Sequence, residues 1–120
     1  MNTTQLTELV VAALEDIKGR EIEVIDTSRL TPLFERIVIA SGDSNRQVRS
    51  LARHVHDKVR EAGGQVLSTE GEEGGEWVLV DLGDVVVHVM QPAIRSHYNL
   101  EELWRGKAPT RAPKAIATGA

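Results

Sequence analysis

Apolar and polar positions along the chain fall into two periods. From residue 5 to 18, Leu6, Leu9, Val10, Ala13, Leu14 and Ile17 recur at three and four, the spacing of one helix face, and Gly19 stands where a left-handed C-cap is wanted. Glu21 to Asp26 is a short strand rich in β-branched residues. Thr27 to Pro32 is a loop, because Pro32 and the hydroxyl residues before it favour turns. Phe34 to Ala40 is a second strand. Its unbroken Ile37-Val38-Ile39-Ala40 run implies burial on both faces and an interior place in the sheet. Ser44-Asn45-Arg46-Gln47 then fits a capping box, with Ser44 as N-cap and Gln47 at N3. The helix it opens has an apolar stripe of Val48, Leu51, Ala52, Val55 and Val59 and ends at Gly63-Gly64.

The second half is mostly of period two. Gln65 to Thr69 is a marginal strand near an edge, and Glu70 to Gly75 is an acidic loop. Trp77-Val78-Leu79-Val80-Asp81-Leu82 and Val85-Val86-Val87-His88-Val89-Met90 are two further strands. Leu100, Leu103 and Trp104 mark a last short helix, capped by Asn99 with Glu102 three residues on. Residues 106–120 lack periodicity and read as a flexible basic tail, leaving residues 1–105 as one domain. The order α-β-β-α-β-β-β-α predicts an α/β class: a single domain with a mixed β-sheet of about five strands and the two long helices on one face.

Gly83-Asp84 between two strands is a two-residue hairpin signal, since glycine tolerates positive φ. Counting outward pairs Leu82 with Val85, Val80 with Val87 and Val78 with Val89. These six share one wholly aliphatic face that must point at the helices. The other face pairs Asp81 with Val86, Leu79 with His88 and Trp77 with Met90. Such a mixture of large apolar and polar side chains fits an interface core, and Trp is enriched at energetic hot spots. An equally good reading has the C-terminal helix folded over this face, burying Trp77.

Composition narrows the chemistry. A chain of 120 residues buries enough surface to fold without metal or disulfide, and it has no cysteine, which excludes thiolate zinc sites and thiol nucleophiles. The net charge of −4 argues against gripping nucleic acid with the whole surface, so direct RNA contact is at most peripheral. Glu70, Glu72, Glu73 and Glu76 crowd one loop, which suits either a basic protein partner or plain solvation. No apolar run is long enough to span a bilayer and the N-terminus lacks the form of a secretory signal, so a cytoplasmic protein without membrane contact is expected.

Candidate catalytic groups are weak. His54 and His56 lie about 200° apart on their helix and cannot chelate one metal. His88 and His97 are two imidazoles without a third ligand. Ser41-Gly42-Asp43-Ser44 lacks the Lys and spaced glycines of a phosphate loop. Asp81 and Asp84 straddle a turn and need not converge on a pair of metals. No cofactor, metal or catalytic residue is expected. A metal-dependent nucleotidyltransferase-like enzyme using Asp81 or Asp84 is the alternative.

The stretch Gly75-Glu76-Trp77 through Met90, followed by Arg95-Ser96-His97-Tyr98-Asn99-Leu100-Glu101-Glu102-Leu103-Trp104, resembles the signature of the Iojap-type ribosomal silencing factors. Lys18-Gly19, Asp26, Ser41-Gly42 and Arg46-Gln47-Val48 fall where that family has its N-terminal pattern, so the likeness covers residues 5 to 105. Phe34-Glu35 departs from the Thr-Asp pair that many members carry. The resemblance implies a nucleotidyltransferase-like α/β fold without catalytic acids. It also implies binding to the large ribosomal subunit through its protein fourteen, which blocks joining with the small subunit and represses translation in starvation or stationary phase. Carried over by position, the partner-binding residues are Trp77, Leu79, Asp81, His88, Met90, Arg95 and Tyr98. A homodimer that buries the same sheet face is a second occupant compatible with this reading.

Overall fold

The computed structural model describes residues 1–106. Its first helix, α1 (Thr3–Asp16), starts earlier than its apolar stripe suggests. Asn2 is the N-cap of a full capping box, accepting from Gln5 N–H at 2.7 Å while Gln5 Oε1 accepts from Asn2 N–H at 3.0 Å. The left-handed residue at its end is Lys18 (φ 66°), not Gly19. Lys18 N–H reaches the Glu15 carbonyl and Gly19 N–H the Leu14 carbonyl, a Schellman closure displaced by one residue from the expected cap.

Strands β1 (Arg20–Asp26) and β2 (Arg36–Ser41) pair antiparallel. Helix α2 (Asn45–Glu61) begins at the expected N-cap, Ser44, whose hydroxyl accepts from Gln47 N–H at 3.0 Å. The reciprocal bond goes one residue further back, from Asp43 N–H to Gln47 Oε1. Strand β3 (Ser68–Glu70) is a three-residue edge piece, and β4 (Trp77–Asp81) and β5 (Val85–Met90) form the hairpin. The five strands order as β1-β2-β5-β4-β3, with β2 and β5 parallel and the other neighbours antiparallel. This is the mixed five-stranded sheet expected, with β2 inside it.

The hairpin register agrees with the count from Gly83-Asp84 at every pair, from Asp81 with Val86 to Trp77 with Met90. Leu82 N–H closes the turn on the Val85 carbonyl at 2.9 Å, and Gly83 takes φ 93°, the positive value that a two-residue II′ turn needs at its first central position. The inner face is as aliphatic as predicted. Val78, Val80, Val85, Val87 and Val89 are wholly buried, with Leu82 nearly so, against Val10 and Leu14 of α1 and Val48, Leu51, Val55 and Val59 of α2.

The chain beyond β5 departs from expectation. A helix, α3 (Pro92–Tyr98), precedes the segment read as the last helix. Pro92 stands in its first turn, where its missing N–H costs nothing, and this was the available signal for it. Asn99 (φ 46°) ends α3 in the left-handed region, and its side chain caps the next turn, accepting from Glu102 N–H. Glu102–Gly106 then wind as a single π-helical turn. The tail expected over residues 106–120 lies outside the described residues, apart from the backbone of Gly106.

Candidate functional site

The outer sheet face is not left bare. Ile25, Ile37, Ile39 and Met90, one from each of β1 and β5 and two from β2, are packed against by Phe34, Trp77, Ile94, Leu100 and Trp104 in a second apolar cluster. Phe34 meets Trp104 edge to face, ring centroids 5.4 Å apart. The Phe34-Glu35 departure thus places an aromatic ring in this cover. Sequence reasoning named Trp104 but missed Ile94 and Phe34, and it put Leu103 on the apolar stripe, whereas Leu103 is exposed. The left-handed Asn99 resets the helical phase, so no single period runs through Ile94, Leu100 and Trp104.

The cover is pinned by charge. Arg95 is buried at the end of β2: Nε donates to Glu101 at 2.7 Å and Nη1 to the buried Ser41 hydroxyl at 2.8 Å. Paired and hydrogen-bonded on both sides, it satisfies the condition under which a buried guanidinium is tolerable. Arg105 closes the far end on Glu23 of β1 at 2.9 Å.

The cover thins out at β4, where Trp77 packs on the edge of the cluster and against Tyr98 of α3. Trp77, Leu79 and Asp81 of β4 are only half-buried, and Tyr98 at the end of α3 is 54% exposed. Four rings run in a row along this border: His88 to Trp77 at 5.9 Å, Trp77 to Tyr98 at 5.0 Å and Tyr98 to His97 at 4.8 Å. Trp77 Nε1 donates to His88 Nδ1 at 2.9 Å, so that nitrogen is unprotonated and the indole is held by a bond rather than by packing alone. Burial pushes the His88 pKa down to about 4, which keeps the acceptor neutral. Asp81 Oδ1 accepts from Gly83 N–H at 2.9 Å and braces the turn. A hollow of about 270 Å³ lies between Trp77, Leu79, Glu70 and Gly71.

The seven residues singled out from the sequence therefore divide. Tyr98 is exposed and Trp77, Leu79 and Asp81 are half-buried, together on the β4 side. His88, Met90 and Arg95 are buried. Met90, expected on an uncovered face, is fully enclosed because α3 and the π turn supply the cover thought to be missing. The histidines behave as single residues: His54 pairs with Asp16 and His56 with Asp57. Among the described residues no group of three His, Asp or Glu side chains is placed to hold a metal ion, and no helix is long and apolar enough to cross a membrane.

A half-covered sheet whose open half presents Trp77, Leu79 and Asp81 from the hairpin and Tyr98 from the end of α3 defines a binding module. Comparison with known proteins agrees with that class. The family model described as "Ribosomal silencing factor during starvation" matches residues 1–118, and the chain belongs to this family. A protein of Chromobacterium violaceum named a ribosomal silencing factor is 54% identical over 112 residues, covering 93% of this chain and 92% of that one. One from Bacillus subtilis with the same name is 41% identical over 109 residues, covering 91% and 92%. A crystal structure of a Chromobacterium violaceum protein, 53% identical, matches with a TM-score of 0.87 and covers 97% of each chain. The protein is a regulator of translation and not an enzyme, which removes the nucleotidyltransferase alternative.

Proposed function

We propose that the protein docks on the large ribosomal subunit through its protein fourteen and represses translation by occupying space that the small subunit needs. Steric exclusion requires no chemistry, and the module has a surface suited to it. The observation that carries the reading is the edge where half-buried Trp77 meets exposed Tyr98, continuous with Leu79 and Asp81 on one side of the sheet. Large aromatic anchors beside an apolar patch and a carboxylate are the composition of an interface centre. Glu70 borders the same hollow, so the patch has an acidic rim that complements a basic protein. His88, Met90 and Arg95 serve from beneath: His88 orients the indole, Met90 fills the space under the cover, and Arg95 fixes α3 and hence Tyr98. Ribosomal subunits place the action in the cytoplasm, and starvation or stationary phase is the condition in which such silencing operates.

Sedimentation of isolated large subunits with wild type, Trp77→Ala and Leu79→Glu tests the reading. Wild type should travel with the subunit and both variants should remain at the top of the gradient with unchanged circular dichroism. Wild-type binding by both folded variants would exclude this face as the docking site. Met90→Glu is unsuitable for the purpose, since it places a charge in a closed core.

A further inference from the structure

Helix α2 has a surface that the platform does not use. At 100° per residue, Arg46, Arg49, Arg53 and Arg60 fall within an arc of about 60° and extend along about 21 Å of helix. All four are exposed. The apolar stripe of α2 packs on the inner sheet face, so this row points away from the sheet, while its N-terminal part lies beside the loop that leads into Trp77. Among the described residues none of the four forms an ion pair; Asp57, which falls on nearly the same face between Arg53 and Arg60, lies beside His56, and Glu61 pairs with Lys58. In a chain of net charge −4, this is a concentrated patch of the opposite sign.

We propose that this arginine row is a sequence-independent contact for the phosphate backbone of RNA. Arginine is the side chain best matched to phosphate, through its planar fork of donors and its weak hydration. A row of four along one exposed helix face supplies charge along a line, which is what a contact to a phosphate backbone requires. A protein that acts on ribosomes works next to RNA, and a patch of this size leaves RNA contact peripheral to the protein-binding platform.

The groove beside the row limits its strength. Arg46, Arg49 and Arg53 form one wall of an open groove of about 480 Å³, and Glu72 and Glu73 of the β3–β4 loop form the other. The Arg49 guanidinium lies over Gly75, where a Cβ would collide with it, so the loop and the row are in close register. The two glutamates are an internal competitor for the phosphate.

A fluorescently labelled RNA duplex of arbitrary sequence, titrated with the full chain at several salt concentrations, tests this without any ribosomal protein present, so its outcome is independent of the platform reading. Wild type should bind with an affinity that falls steeply with salt. Arg46→Gln/Arg53→Gln/Arg60→Gln should bind at least about tenfold more weakly at low salt and reduce the log–log salt slope by roughly two to three. Glu72→Gln/Glu73→Gln should bind more tightly than wild type. Absence of wild-type binding at low salt, equal binding by the folded arginine variant, or capture of polyglutamate in preference to RNA overturns the assignment.

Discussion

Acidification should loosen the platform through His88. The imidazole is 9% exposed, and its cross-strand neighbours Leu79 and Ile39 are both uncharged. Its pKa is pushed from 6.5 down to about 4 by burial. The unfolded chain therefore binds a proton at His88 between pH 6.5 and 4 while the folded chain does not, and stability is lost as pH falls through that window. With those two pKa values the linkage comes to about 2 kcal/mol at pH 5 and about 3 kcal/mol at pH 4, relative to neutral pH. Protonation at Nδ1 also removes the acceptor for Trp77 Nε1–H, so the indole should lose its fixed orientation in the same range. Urea unfolding at pH 7 and pH 5, for wild type and His88→Gln, isolates the effect. Gln keeps an acceptor but does not titrate, and every other ionisable group is common to both chains. The wild type should lose about 2 kcal/mol more than the variant between the two pH values. An equal loss in both chains would refute the argument that burial of this ring sets its protonation.

Two further predictions concern the supports of the platform. Arg95→Ala removes the bonds to Ser41 and Glu101 and leaves Glu101 without its partner; a loss of about 3 kcal/mol is expected, the low end for a buried pair because Glu101 is only part-buried. Hydrogen exchange should show the loss first at Asn99, whose N–H closes α3 on the Arg95 carbonyl, and unchanged protection there would contradict the clamp. Gly83→Ala forces an L-residue to φ 93° in the hairpin turn and should cost about 1–2 kcal/mol in chemical unfolding; a neutral result would mean that the turn re-forms with another geometry.

The hairpin was legible because its signals are local and consistent. Two turn residues set the register, strict alternation sorted Val78, Val80, Val87 and Val89 from Trp77, Leu79, His88 and Met90, and the observed pairs follow the count throughout. The capping box at Ser44 was legible for the same reason, since N-cap and N3 are three residues apart in the chain. The α1 cap was displaced because a lysine accepted the left-handed conformation, which leaves Gly19 with its backbone close to the Leu14 carbonyl.

The accessibility of the outer face was not legible. Full burial of Met90 and only partial burial of Trp77, which are direct partners across the hairpin, depend on where a segment from another part of the chain comes to rest. That segment has no uninterrupted period: Asn99 breaks it, and its inward residues are drawn from two short turns and from the loop before β2. Its anchor, Arg95 on Ser41, joins residues 54 positions apart. Sequence alone determined the elements, the register and the two faces of the sheet, because those follow from backbone geometry over a few residues. Only the tertiary structure decided which half of the outer face is closed, because that choice is made by packing and one buried charge between residues distant in the chain.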